Sequence, residues 1–167
     1  MQTHLEQTLL NKINDLATLL GKVNTWKSEG KKIVFTNGVF DLLHLGHITY
    51  MAKAAELGDK LIIGLNADAS VKRLKGENRP VNDQNNRAAL LAAMFFIDAV
   101  VIFEEDTPLN LITQILPDVL VKGADYSVEN IAGAKEVLAN GGEVKTVTLV
   151  EGHSSTNIIN KIKSQMA

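Results

Sequence analysis

The chain has 167 residues, 17 Lys and Arg against 19 Asp and Glu, and a formal charge of −2, which suits one domain with a sizeable core and lacks the basic excess of a bulk nucleic-acid binder. No apolar run is as long as a membrane span, and the absence of cysteine excludes disulfides and thiol catalysis. The polar start, Met1 to Glu6, is unlike a secretory signal, so a cytoplasmic protein is expected, without nucleic-acid or membrane partners.

Thr3 and Glu6 form a capping-box pattern. Leu5, Leu9, Ile13, Leu16 and Leu20 then mark one face of a helix, with Gly21 at its C-terminal cap. A shorter helix over 24–29 follows, so residues 1–30 read as a helical extension ahead of a main domain at 31–167. Five exposed aliphatics would promote aggregation, so something must cover this stripe. The cover is either the sheet of the same chain or a second copy; a homo-oligomer burying Leu9, Ile13 and Leu16 is the expectation.

Ile33-Val34-Phe35 reads as a buried strand. The chain breaks at Asn37-Gly38 and resumes as a helix from about Leu45, with Ile48, Met51, Ala52 and Ala55 on one face. A strand, a glycine-bearing turn and a helix place backbone N–H groups where an anion can sit. His44 and His47, separated by Leu45-Gly46, fall in the first turn of that helix, beside the positive end of its dipole. The arrangement suits a polyphosphate. As a metal site it would need further His or Cys ligands, yet His4 and His153 lie far off in sequence.

Lys60 to Leu65 is a second buried strand, and Asn66-Ala67-Asp68 stands at its C-terminal end, where open α/β sheets bind ligands. The basic stretch from Ser70 to Pro80, with Lys72, Arg73, Lys75 and Arg79, reads as a mobile loop and a candidate phosphate clamp. Asn82 is positioned to cap a helix over 83–96 that carries Leu90, Leu91, Met94 and Phe95 inward. Arg87 in its first turn opposes the dipole, so it is either solvated or meets an anion. Ala99 to Phe103 is strand three, and Thr107-Pro108 starts a helix that stops before Pro117. Val119 to Val121 is strand four, ending in Lys122-Gly123-Ala124-Asp125-Tyr126, a lysine–glycine pair that fits phosphate recognition or a plain loop. A helix over 130–140 leads to strand five, Glu143 to Thr148. Gly152-His153-Ser154-Ser155-Thr156 then introduces a last helix with Ile158, Ile159 and Ile162 apolar.

Strands alternating with helices predict an α/β, Rossmann-like domain with a five-stranded parallel sheet, helices on both faces and the N-terminal helix added. Right-handed crossovers gather the loops at 36–47, 66–79, 122–126 and 152–156 at one edge. Neither a Walker sequence nor Gly-x-Gly-x-x-Gly occurs, which disfavours a P-loop NTPase and a dinucleotide oxidoreductase.

Thr36-Asn37-Gly38-Val39-Phe40-Asp41-Leu42-Leu43-His44-Leu45-Gly46-His47 resembles the signature of the cytidylyltransferase-like nucleotidyltransferase superfamily. Within it, residues 31–162 are most similar to the heptose 1-phosphate adenylyltransferases, which occur as the C-terminal half of a bifunctional ADP-heptose synthesis enzyme and as stand-alone chains. Val39 stands where cysteine is common. Gly152 to Thr156 followed by Lys161 looks like the second signature, with Lys161 where many members have arginine.

The resemblance implies transfer of AMP from ATP to D-glycero-β-D-manno-heptose 1-phosphate with release of pyrophosphate, by in-line attack without a covalent intermediate and with Mg²⁺ assisting. His44, His47 and Lys122 become the catalytic candidates. Thr36, Asn37, Gly38, Phe40, Asp41, Gly46, Gly123, Ser154, Ser155 and Thr156 join the two histidines as nucleotide-binding candidates. Asn66, Asp68, Lys72, Lys75, Arg79 and Arg87 are the acceptor or phosphate-clamp candidates. The stretches 70–81 and 118–123 favour this reading over a glycerol-3-phosphate-type cytidylyltransferase. A non-catalytic nucleotide-binding module would tolerate loss of the two histidines.

Overall fold

A computed structural model describes residues 3–124, 127–148, 152 and 154–166. The expectations placed on Asp125, Tyr126 and His153 lie outside the described residues.

The N-terminal segment departs from the single helix its stripe suggests. Helix α1, His4–Leu10, starts at the expected capping box, with Thr3 N–H donating to Glu6 Oε2 at 2.6 Å and Glu6 N–H to Thr3 Oγ1 at 3.2 Å. The chain then extends into a two-residue strand, β1, Ile13–Asn14. Asp15 caps a second helix, α2, Leu16–Ser28, by accepting from Thr18 N–H at 2.7 Å. Leu9 and Ile13 pack against one face of the sheet, whereas Leu16, Leu19, Leu20 and Val23 pack against the other. The stripe is therefore divided by β1 at the sheet edge and covered within the chain. Leu5 alone of the five stays exposed, at 78%.

The remaining elements are β2, Ile33–Gly38; α3, Leu45–Ala55; β3, Lys60–Asn66; α4, Asp68–Lys75; α5, Gln84–Ala92; β4, Ala99–Phe103; α6, Leu109–Ile115; β5, Val119–Gly123; a 3-10 turn, Val128–Asn130; α7, Ala134–Ala139; β6, Glu143–Val147; and α8, Ser155–Met166. The sheet has six strands in the order β1-β4-β3-β2-β5-β6, all parallel. The expected five are present, and β1 is the addition, pairing Ile13 with Val100 and Asn14 with Val101.

β2, β3 and β4 step outward in one direction. The chain then returns to lay β5 on the other side of β2. The crossovers diverge between β2 and β5, and the crevice at the C-terminal ends of such strands is where open parallel sheets take ligands.

Each central strand is buried on both sides, as parallel sheets require. Alternation sends Ile33 and Phe35 of β2 into the layer under α2, α6 and α7, and Val34 into the layer under α3 and α5. A side chain at Gly64 would meet the Phe35 ring at 2.7 Å, so glycine there lets that ring lie across β3.

Two further expectations are corrected. The stretch taken as a mobile loop folds as α4 through Lys75 and ends at Gly76, whose φ of 94° suits glycine. Helix α5 is capped by Asp83 rather than Asn82, with Asp83 Oδ1 accepting from Asn85 and Asn86 N–H at 2.9 Å. It stops at Ala92, with Phe95 beyond it 91% exposed; within the helix Leu90 is 48% exposed and Leu91 buried, and Met94 packs on the core.

Candidate active site

The end of β2 is tied to its neighbours before the turn begins. Buried Thr36 Oγ1 and Tyr50 OH lie 2.7 Å apart, fixing the strand to α3. Asn37 Oδ1 accepts from Lys122 Nζ, joining β2 to β5 across the switch point. Tyr50 was not foreseen, although its place three residues after His47 puts it on the same helix face.

The turn is tight around Phe40. Its φ of 49° is left-handed, a conformation that costs a bulky residue energy unless its surroundings hold it there. The Phe40 ring is buried, and a side chain at Gly38 would meet it at 3.0 Å. The Phe40 and His47 rings meet in a T-shaped contact, with centroids 5.4 Å apart and planes at 73°. His47 stacks in turn on His44 at 3.8 Å and 22°.

His44 occupies the N-cap of α3 without capping the helix through its side chain. His47 N–H donates to the His44 carbonyl at 2.9 Å, which sets the first turn. Burial, and then the neighbouring His44, push the His47 imidazole down to about 4 from an ordinary 6.5; the Leu42 carbonyl pulls the other way. His47 is therefore a neutral N–H donor near pH 7. Two adjacent imidazolium ions would repel each other, and this pair avoids that.

The second signature, more than a hundred residues on, meets this turn. Ser155 Oγ donates to the Leu42 carbonyl at 2.8 Å, and Ser154 Oγ caps α8 by accepting from Asn157 N–H at 3.0 Å. Thr156 is exposed in the first turn of α8, and Gly123 ends β5 beside Val147 of β6. Gly46 is buried in the first turn of α3.

The clamp candidates divide. Lys72 and Lys75 are exposed on α4. Asn66 is buried and donates from Nδ2 to Ser70 Oγ at 3.0 Å. Arg79 is joined to Asp41, donating from Nε to Oδ2 at 3.1 Å and from Nη2 to the Asp41 carbonyl. Asp41 is 2% exposed and also accepts from Val81 and Asn82 N–H, at 2.7 and 2.9 Å. Its carboxylate therefore holds the 79–82 segment.

Arg87 is fully buried and ion-paired with Asp68 at 2.7 Å. Of the two alternatives for Arg87, it is not solvated but meets an anion, and that anion is the protein's own Asp68 carboxylate. Both guanidinium groups proposed as a clamp, those of Arg79 and Arg87, are engaged by the protein.

Among the described residues no group of three or more His, Asp or Glu could hold a metal ion. Asp41 and Asp68, the carboxylates beside the turn, are both paired with arginine. These residues do not fit a protein-built Mg²⁺ site.

A family model described as cytidylyltransferase-like matches residues 35–161. The chain is 57% identical over 151 residues to the bifunctional protein HldE of Geobacter metallireducens, a match covering 90% of this chain and 31% of that one. It is 56% identical over 147 residues to HldE of Cronobacter sakazakii, covering 88% and 31%. The chain thus spans about a third of the length of these relatives. Among solved structures, a lipopolysaccharide core biosynthesis protein from Thermoplasma volcanium superposes with a TM-score of 0.58 at 30% identity, covering 74% of this chain and all of that one. Pantoate-beta-alanine ligase from Francisella tularensis, solved with a β,γ-ATP ligand and beta-alanine, gives 0.62 over 87% of this chain and 71% of its own; at 15% identity it shows the fold alone.

Proposed function

The chain belongs to the cytidylyltransferase-like family, and from that premise we propose that it moves AMP from ATP to D-glycero-β-D-manno-heptose 1-phosphate, forming ADP-heptose and releasing pyrophosphate. The carrying observation is the stacked His44–His47 pair at the start of α3, beside the β2/β5 switch point. Identity with bifunctional HldE and likeness to a lipopolysaccharide core biosynthesis protein support the choice of a heptose acceptor over glycerol phosphate.

A phosphate monoester is already anionic near pH 7, so its attack on the α-phosphorus needs no strong base. It needs alignment and donors placed where charge develops. The imidazole N–H groups of His44 and His47 take that role as charge moves to the leaving pyrophosphate. Lys122, held toward β2 by Asn37, adds a cation at the same edge. Ser154, Ser155 and Thr156 bound the nucleotide from α8. Lys72 and Lys75 remain as the exposed cations for a phosphate of either substrate. A divalent cation such as Mg²⁺ accompanying ATP would screen the phosphate charge, and no described residue is assigned to hold it.

Among the described residues no helix is long and apolar enough to cross a membrane. We place the enzyme in the cytoplasm, where ATP is supplied. A homo-oligomer has lost its first motive, because Leu9, Ile13 and Leu16 are covered by the chain's own sheet.

Pyrophosphate release with ATP or CTP across a panel of sugar phosphates and glycerol 3-phosphate tests the assignment. Turnover with ATP and the heptose phosphate, at a kcat/KM well above that with CTP, is the expected result. Comparable values for the two nucleotides, or preference for glycerol 3-phosphate, would remove it.

A further inference from the structure

Arg87 is an unusual residue for its position. It lies in the first turn of α5, where the helix dipole disfavours a cation, and it is 0% exposed. A buried guanidinium is tolerated when its N–H groups are met, and here four of the five are. Nε donates to the Asn82 carbonyl at 3.0 Å, Nη1 to the Val39 and Asn66 carbonyls at 2.8 and 2.9 Å, and Nη2 to Asp68 Oδ1 at 2.7 Å. These acceptors come from four separate places: the motif turn, the end of β3, the first residue of α4 and the approach to α5. A phosphate could reach Arg87 only by displacing them.

The contact with Val39 leads back to the chemistry. Fixing the Val39 carbonyl fixes the peptide that enters Phe40, the residue held at a left-handed φ of 49°. The Phe40 ring then sits over Gly38 and makes a T-shaped contact with His47, which stacks on His44. Each step is a direct contact, and the Phe40 backbone is strained enough to need an external hold. We propose that Arg87 is a positioning residue: its buried guanidinium locks the Val39–Phe40 turn so that Phe40 buttresses the two histidines, and it binds no substrate phosphate. This deepens the proposed adenylyl transfer and rests on it for the meaning of a rate.

Lysine keeps the charge of Arg87 but cannot span the Val39, Asn66 and Asp68 acceptors together. In Arg87→Lys, kcat should fall about 10-fold to 100-fold, the range that a small misplacement of catalytic groups produces. The Kd for ATP should change little. In the His47→Ala background the same substitution should lose much less, because its effect passes through the histidine. The imidazole proton resonances of His44 and His47, shifted by the ring currents of the stack, should move in Arg87→Lys at unchanged pH.

A rise in the ATP Kd or the acceptor KM at constant kcat would overturn the inference and restore a phosphate clamp. Full additivity with His47→Ala would also overturn it, as would unmoved imidazole resonances in a folded variant with a lowered thermal midpoint. If Arg87→Lys does not fold, Asp68→Asn replaces it: Asp68 is 33% exposed and asparagine retains an acceptor oxygen. A smaller movement of the same resonances is then expected, and none would overturn the inference. The resonances and the ATP Kd need no turnover, so a wild-type chain inactive on heptose phosphate would count against the proposed reaction alone.

Discussion

Residues 36–47 and 66–87 meet at the C-terminal edge of the sheet, and both are rich in residues that suggest phosphate chemistry. In the first, the side chains expected at the site are gathered there: Thr36 and Asn37 at the strand end, Phe40 in the turn, His44 and His47 in one helical turn. In the second, a stretch expected to be a loop of free cations is a helix and a buried joint. Arg79 and Arg87 reach backwards into the turn, to Asp41 and Val39, rather than outwards. The placement of His47 is set by neighbours within seven residues, and such a placement can be read from spacing. The placement of Arg87 is set by acceptors up to 48 residues away, which no local pattern reveals.

The largest effect should come from cutting the joint between the two regions. Asp41 brings a fully buried side chain to Arg79, Val81 and Asn82. Asp41→Ala leaves a largely buried guanidinium and two backbone donors without that partner, and should lower stability by about 3–5 kcal/mol in urea or thermal unfolding. A loss below about 1 kcal/mol would return Asp41 to the nucleotide and dissolve the contrast drawn above.

Removing a histidine should act on rate instead. His47→Ala should lower kcat by about 10²–10³, the usual loss for one electrostatic donor at a transition state, with a much smaller change in ATP affinity. A pH signature accompanies it. The folded-state value for His47, about 4, lies below the ordinary 6.5, so between these values the unfolded chain binds more protons. The stability linked to this residue is complete above about pH 6.5 and is lost as pH falls toward 4. A plot of thermal midpoint against pH should be flatter over that interval in His47→Ala. Near-normal kcat in the variant would make the turn scaffolding and end the proposed mechanism.

What the sequence made legible follows the same division. The β-branched and aromatic runs located β2 to β5, because strands buried on both faces read as continuous apolar segments, whereas β6, a mostly exposed edge strand, showed only a weak alternation. β1 was hidden, since Ile13 also continues a helical spacing and only its pairing with Val100 reveals the strand. α4 was hidden because Val71 is its one buried apolar side chain, and Ala67 offers no side-chain cap at its start. Phe95 extended an apolar pattern beyond the true end of α5 and lies on the surface. The crossover rule placed residues 152–156 at the same edge as residues 36–47, but the particular meeting of Ser155 with Leu42, 113 positions apart, shows only in the fold.

The smallest effect tests whether burial, and not sequence position, ranks the arginines of the second region. Arg73, Arg79 and Arg87 lie within fifteen positions, with side-chain exposures of 50%, 16% and 0%. Arg73 pairs with Asp106 at 2.7 Å, but Asp106 is itself 56% exposed. Water solvates both groups when the pair separates, and holding two long side chains together costs entropy. Exposed pairs are consequently worth about 0–1 kcal/mol, and salt screens what remains. Arg73→Ala should therefore shift stability by less than about 1 kcal/mol, less still in high salt, and leave kcat unchanged. The contrast with Arg87→Lys is the point of the measurement. That milder substitution should reduce turnover 10-fold or more, because its site is buried and joined to the turn. If Arg73→Ala instead lowered kcat as far, the cations of this region would act together on substrate, and burial would have failed as the criterion that separates them.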